Sequence, residues 1–196
     1  MDLDIDGVDA LIKNNTVRDN EGDAGFVLDV ESETATISDN VVTDNSGAVG
    51  FDIHVDTADG TIESNTVRHN EDGLVVTGNG EYGLENATIT QNIIEDNTGI
   101  GLTVGGDQNV VVTENSIAGN GDGLLYTNGL ENLDARNNWW GAVDGPSGGE
   151  TDPETGAVAD GSGDSLDTAG GWADYVLFDE WLEAPPRDWD DHWHCH

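Results

Sequence analysis

Asparagine recurs at fixed intervals among β-branched residues. The stretch ATISDNVVTDN, residues 35–45, carries the spacing I-x-x-N-x-V-x-x-N through Ile37, Asn40, Val42 and Asn45. The same spacing returns at Ile12-Asn15-Val17-Asn20, Ile62-Asn65-Val67-Asn70, Ile89-Asn92-Ile94-Asn97 and Val112-Asn115-Ile117-Asn120, with a degenerate copy at Ala135-Asn138-Trp140. The leading asparagines stand at 15, 40, 65, 92, 115 and 138, in steps of 25, 25, 27, 23 and 23 residues. A self-similar period of that length denotes stacked repeats, in which each unit buries its apolar face only against its neighbours.

A second block follows each asparagine block: GFVLDV (25–30), GFDIHV (50–55), GLVVTG (73–78), GIGLTV (99–104) and GLLYTN (123–128). After the glycine the pattern alternates with period two, which makes a strand with one face in a core. Phe26/Leu28/Val30, Phe51/Ile53/Val55, Leu74/Val76, Ile100/Leu102/Val104 and Leu124/Tyr126 are the inward set. No helical segment separates the strands. Each repeat therefore makes one coil of short strands, with coils stacked about 4.8 Å apart in parallel. Asparagine suits the corners because it tolerates the left-handed backbone region. Stacked at one corner, its amide also accepts from one coil and donates to another. Asn15, Asn40, Asn65, Asn92, Asn115 and Asn138 form one expected ladder, and Asn20, Asn45, Asn70, Asn97 and Asn120 a second. Leucine-rich repeats lack a match because the L-x-x-L-x-L block is absent, and the uneven steps exclude a six-residue helix. The fold class is all-β, a right-handed parallel β-helix of about six coils.

Residues 1–141 form the coils, and the first coil reads as incomplete, with Leu3 and Ile5 pointing inward. Further coils N-terminal to it are expected partners. Residues 142–171 read as an acidic, Gly-rich loop, 172–186 as a C-terminal cap segment and 187–196 as a flexible tail. Trp139 and Trp140 take the place of a β-branched residue at the last rung. With Trp181 they are the expected cover of the open core, which a solenoid needs to stay soluble.

These residues carry a resemblance. The N-x-[IV]-x-x-N coils, Asn137-Asn138-Trp139-Trp140-Gly141, Asp144-Gly145-Pro146, Gly163-Asp164 and the Tyr175…Trp181-Leu182 terminus look like the closing portion of right-handed β-helix proteins of the pectate-lyase-like/NosD-like group. The resemblance spans roughly residues 10–185. It implies an extracellular or cell-surface setting, a polysaccharide or surface glycan as partner, and in the NosD-like case metal handling. This chain shows no signal peptide at its start: MDLDIDGVDA has neither a basic nor an apolar leader region.

Charge bounds the partners. There are 41 acidic against 5 basic residues, a formal net charge of -36. Such a surface repels phosphate, so nucleic acid is excluded as a partner, and no apolar run is long enough for membrane insertion. Self-repulsion loosens the chain in dilute buffer and is screened at molar salt, where the Debye length is about 3 Å. The composition resembles that of halophilic archaeal proteins. One cysteine, Cys195, excludes an internal disulfide.

For chemistry the outward positions matter. Alignment by glycine stacks Val27, Asp52, Val75, Gly101, Leu125 in one column and Asp29, His54, Thr77, Thr103, Thr127 in another. Asp29, Asp52, His54 and Asp56 combine carboxylates with an imidazole, the ligand types for calcium or for binding a sugar. The same cluster in a solvated acidic face has no site role. A second column reads Arg18, Thr43, Arg68, Glu95, Ala118 beside Asp19, Asp44, His69, Asp96, Gly119. A polysaccharide lyase needs a base and a cation for the enolate; Asp52, His54, Arg68 and His69 are the catalytic candidates, with Arg68 otherwise expected to bridge to neighbouring acids. The paired aspartates, Gly-His-Gly and Arg-x-Lys of polygalacturonase-type hydrolases are absent. The tail offers His192, His194, Cys195 and His196, the ligand types for zinc or copper at a spacing too tight for one tetrahedral site. The favoured reading is a non-catalytic scaffold or glycan-binding module that requires no cofactor. A lyase and a NosD-like metal-handling protein are the alternatives.

Overall fold

A computed structural model describes residues 1–78, 84–105, 109–127, 132–169 and 176–186. Among them are strands and turns and no helix. The strands wind a right-handed parallel β-helix with three faces. The front face holds the first half of β1 (Asp2–Lys13), β3 (Ala24–Ser38) and β5 (Val49–Glu63), then β7 (Asp72–Gly78), β10 (Ile100–Gly105) and β13 (Asp122–Thr127). The rear face holds the second halves of β1, β3 and β5, then β8 (Leu84–Thr90), β11 (Val110–Thr113) and β14 (Leu133–Asp134). The floor is a separate five-stranded sheet of three-residue strands: β2 (Thr16–Arg18), β4 (Val41–Thr43), β6 (Thr66–Arg68), β9 (Ile93–Glu95) and β12 (Ser116–Ala118). Every pairing between named strands is parallel, with each residue over its counterpart one coil on, as in Ala10–Ala35–Gly60–Ala87.

The tube is filled by lines of side chains from all three faces. Phe26, Phe51, Leu74, Leu102 and Leu124 come from the front, Ile12, Ile37, Ile62, Ile89 and Val112 from the rear, and Val17, Val42, Val67, Ile94 and Ile117 from the floor; all are buried. Phe26 and Phe51 stack in parallel with ring centroids 4.9 Å apart. One inward assignment changes. Ile100 is half-buried and pairs with Asp122, so it stands outside the inward set. The glycine equivalent to Gly25, Gly50 and Gly73 is Gly101, not Gly99, and aligning on the first glycine of GIGLTV displaces that coil by two residues. The outward columns are therefore Val27, Asp52, Val75, Thr103, Leu125 and Asp29, His54, Thr77, Gly105, Thr127.

Both asparagine ladders are present, and each is directional. The Asn65 side-chain oxygen accepts from Asn40 N at 3.0 Å and Asn40 Nδ2 at 2.9 Å. Its Nδ2 donates back to the Ile37 carbonyl at 2.9 Å and forward to Asn92 Oδ1 at 3.0 Å. Asn40, Asn92 and Asn115 repeat this arrangement in the first ladder, and Asn45, Asn70 and Asn97 in the second. Thus the amide oxygen faces the preceding coil and the amide nitrogen the following one. Buried amides arranged this way have their hydrogen-bonding capacity met.

The ladder asparagines are not the left-handed residues. Those are the residues just before them: Asn14, Asp39, Ser64, Gln91, Glu114 and Asn137 at one corner, with φ of 55–59°, and Asp19, Asp44, His69, Asp96 and Gly119 at the other. The ladder residue is held by its amide, and the preceding residue absorbs the bend.

The tract 142–171 is not simply a loop. Its segment β15 (Leu166–Ala169) adds a parallel strand to β13 on the front face, and β16 (Val176–Leu177) does the same for β14 at the rear. Asp164, just before β15, takes the place of the next rung in the second ladder. Its Oδ2 accepts from Asn120 N and Asn120 Nδ2, each at 2.9 Å, and its Oδ1 accepts from Gly119 N at 3.0 Å. The glycine column has the matching shape. A Cβ on Gly25, Gly50 or Gly101 would fall 2.6 Å from the next rung's asparagine, and one on Gly123 would fall 2.7 Å from Asp164 Cβ. The first ladder ends on itself, with Asn138 Nδ2 donating to Val112 O and Ala135 O.

Of the two adjacent tryptophans, only Trp140 enters the core, where it is fully buried; Trp139 bridges to Ser116 in the outward column and is half-buried. Trp181 packs against the core cluster, lies against Gly145, and donates from Nε1 to Val143 O. Phe178 closes the end beside it. Buried Asp152 ties the cap together, accepting from Glu154 N and Thr155 N on one oxygen and Phe178 N and Asp179 N on the other. Burial pushes the Asp152 carboxyl up, and the four N–H donors outweigh it, holding the group below the usual carboxylate range.

Candidate functional site

The front-face strands present alternate side chains outward, which lines up positions 52, 54 and 56 of β5. His54 is held from the next coil, where its Nδ1 lies 2.8 Å from Thr77 Oγ1. Its Nε2 lies 3.3 Å from Asp52 Oδ2. Asp52 Oδ1 and Asp56 Oδ1 are sealed from solvent without a hydrogen-bond partner. Asp29 sits beside His54 in the preceding coil by register. The sequence-level cluster Asp29, Asp52, His54 and Asp56 therefore shares one patch of the front face.

His69 belongs elsewhere, at the left-handed corner between floor and front. Its Nδ1 lies 3.4 Å from Asp44 Oδ1 and its Nε2 3.9 Å from Asp96 Oδ2, so the ring stands between carboxylates of the coils on either side. A shallow groove of about 400 Å³ opens here, lined by Asp44, Asn45, Ser46, His69, Asn70, Glu71 and Thr98.

Arg68 lies on the floor strand β6, stacked between Thr43 and Glu95. The expected bridge to neighbouring acids does not form: among the described residues Arg68 has no ion pair, and its Nε is sealed without a partner. Glu95 instead accepts from Ser116 Oγ at 2.5 Å. The paired guanidinium is Arg136, which grips Asp134 through Nε at 2.9 Å and Nη2 at 2.6 Å. That hydrogen bond holds the Asp134 carboxyl below the usual range. The lyase candidates are thus divided, with Asp52 and His54 on the front, Arg68 on the floor and His69 at the corner. The tail candidates His192, His194, Cys195 and His196 lie outside the described residues, as do Trp172 and Tyr175.

Sequence reasoning missed Asp164 as a rung and Asp152 as the clamp of the cap. Neither has a period to reveal it, although Gly163-Asp164 did stand out as a motif.

A fold of parallel coils, with ladder corners over residues 15–138, is what the family comparison detects. The family model described as "Periplasmic copper-binding protein (NosD)" matches residues 6–140. The chain belongs to the NosD family. No curated protein and no solved structure matches it. The family's description places its members in the periplasm and calls them copper-binding. Among the described residues of this NosD-family chain, no three His, Cys, Asp or Glu side chains form a group able to hold a metal ion.

Proposed function

We propose that this chain is a non-catalytic β-helix module acting outside the cytoplasm in concentrated salt, with its front face as a binding surface for glycan. The observation that supports it is the pair of straight outward columns, in which Val27, Val75 and Leu125 alternate with Asp52, Thr77, Thr103 and Thr127. Apolar strips beside hydroxyls and carboxylates match the two kinds of surface on a pyranose ring. The separation of Arg68 from Asp52 and His54 onto different sheets argues against elimination chemistry, which needs base and cation at one carbon. The acidic surface fits a salt-rich exterior. The test is affinity electrophoresis in molar salt against neutral and acidic polysaccharides, with unsaturated-product absorbance followed in parallel. Retardation lost in Val75→Glu, without turnover, supports the proposal; turnover of a polyuronate abolished by Arg68→Ala overturns it.

A second reading, copper handling, draws on the family description and on the imidazole–carboxylate pair of His54 and Asp52. The described residues do not fit a closed copper cage.

A further inference from the structure

We propose that the outer surface of the floor is a second binding strip, for a linear glycan carrying carboxylate or sulfate groups, with Arg68 holding the anion and Trp139 stacking on a sugar ring. This rests on the glycan-binding reading and adds to it a separate face and a ligand class.

The middle residue of each floor strand enters the core, so the residues on either side of it point out. Register stacks Thr16, Val41, Thr66, Ile93 and Ser116 in one outward column, and the Ser116–Trp139 bridge puts Trp139 at its end. The other column is Arg18, Thr43, Arg68, Glu95 and Ala118. Its charge runs against that of the whole molecule. The chain has 41 acidic and 5 basic residues, yet the two columns hold Arg18 and Arg68 against the lone acid Glu95. The acids stand at the rims instead, with Asp39 and Glu114 at one left-handed corner and Asp44 and Asp96 at the other.

Within the strip the charges are unequally committed. Arg18 Nε lies 3.8 Å from Asp19, and Glu95 accepts from Ser116 Oγ. Arg68 has no ion pair among the described residues. Its Nε is sealed without a partner, so the guanidinium has already lost part of its hydration. Such a group gains from a planar or tetrahedral anion at its terminal nitrogens, which pair with two oxygens at once. Val41, Ile93 and Trp139, half-buried in the neighbouring column, supply the apolar part. A pyranose ring turns C–H groups to one side and oxygens to its edge, so it lies flat on an indole. The Trp139 rung stands three steps from the Arg68 coil, about 14 Å at about 4.8 Å a step. Only an extended ligand reaches both.

The dimensions select the occupant. Three-residue strands make the strip about 10 Å wide, and five steps make it about 24 Å long. That is about 240 Å², against about 800 Å² per partner in a stable protein interface. A second copy of the chain would have to spread over the rims, acid against acid at contact. A glycan chain stays between them. In molar salt the Debye length is about 3 Å, so the rim acids are screened from the ligand, whereas a contact with a half-buried guanidinium is screened much less.

The test uses the full chain carrying Val75→Glu, which closes the front face to glycan. Oligogalacturonate, a sulfated oligosaccharide, monomeric galacturonate and a neutral maltooligosaccharide are titrated in molar sodium chloride and followed by calorimetry. A charged oligomer is expected to bind and the neutral one not to, and the tighter of the two charged oligomers identifies the anion. Arg68→Gln then weakens binding at least about tenfold, with an unchanged far-ultraviolet spectrum. Arg68→Lys recovers only part of the loss, since an ammonium lacks the two-pronged fit. Trp139→Ala weakens binding about three- to tenfold. Charged-oligomer binding that disappears with Val75→Glu alone, that is undiminished in Arg68→Gln, or that the monomer equals overturns the floor strip and leaves glycan binding by the front face intact. No saccharide bound even by the unsubstituted chain overturns both, as does a dimer that Trp139→Ala dissociates in the absence of any saccharide binding.

Discussion

The directional ladder makes a prediction in which two chemically opposite exchanges have unequal costs. Asn65 is fully buried; its oxygen takes two N–H groups from the coil before, and its nitrogen supplies Ile37 O and Asn92 Oδ1. In Asn65→Ala the Asn40 backbone N–H loses its acceptor, and Asn40 Nδ2, the Ile37 carbonyl and Asn92 Oδ1 each lose a partner. At about 1–3 kcal/mol per orphaned buried group, the cost is about 2–5 kcal/mol. Asn65→Asp keeps the accepting oxygen and sets the other against two acceptors in a dry site, so it costs about 4 kcal/mol or more at neutral pH. Its folded pKa must lie above the unfolded value, so the variant is most stable in acid and loses stability as pH rises through that folded value. Asp164→Asn, at the last rung, costs about 1 kcal/mol or less. The oxygen that Asn120 needs is retained, one bond to Gly119 N is lost, and a charge that burial disfavours is removed. Asn15→Ala, at the partly exposed first rung, costs about 1 kcal/mol, because Asn40 Oδ1 still receives Asn15 N–H. Urea unfolding at fixed molar salt, followed by circular dichroism, measures all four. If Asn65→Asp is as mild as Asp164→Asn, or Asn15→Ala as costly as Asn65→Ala, the polarity assigned to the ladder is wrong.

Other expectations follow from charge, cap and packing. With a net charge of -36, the urea midpoint climbs as potassium chloride goes from about 0.1 M to 1 M and the Debye length falls from about 10 Å to 3 Å; a flat midpoint rules out self-repulsion as a large term. Asp152 is held below the usual carboxylate range, so its contribution is present above the unfolded pKa and lost as pH falls through the folded one. Asp152→Asn removes most of that acid sensitivity and loosens the cap by about 2–4 kcal/mol, seen as faster amide exchange at Phe178 and Asp179. Gly145→Ala disorders the Trp181 contact, because φ is 85° and the new Cβ would sit 2.5 Å from the indole; Trp181 fluorescence shifts red, and no shift refutes the packing.

The fold was legible because the ladder and the core repeat together. A residue that must meet its own kind one coil away leaves a period, and Asn40, Asn65 and Asn92 do so in register with Ile37, Ile62 and Ile89. The left-handed corner was not legible. Asp39, Ser64, Gln91 and Glu114 share a backbone angle and no side-chain chemistry, since the flanking ladder enforces the bend. Asp164 escaped because a rung 44 residues from Asn120 has no period, and because a carboxylate serves only where nothing further requires a donor. In the candidate site, the grouping of Asp52 with His54 follows from strand alternation. The Thr77 anchor depended on register between coils, and the separation of Arg68 depended on where the chain turns. The misplaced Gly99 shows the limit of matching by letter: Gly101 is small because an amide occupies the space above it.

Because every rung turns its oxygen to the coil before and its nitrogen to the coil after, the stack behaves like a run of identically keyed bricks. A whole coil can be gained or lost by duplication or deletion of one period, and the seams on either side still match. The closing pieces alone end the series, a carboxylate at Asp164 in one ladder and an amide turned back on its own coil at Asn138 in the other. Evolution can therefore tune the tube's length, and with it the span of its faces, independently of the surface chemistry each coil displays.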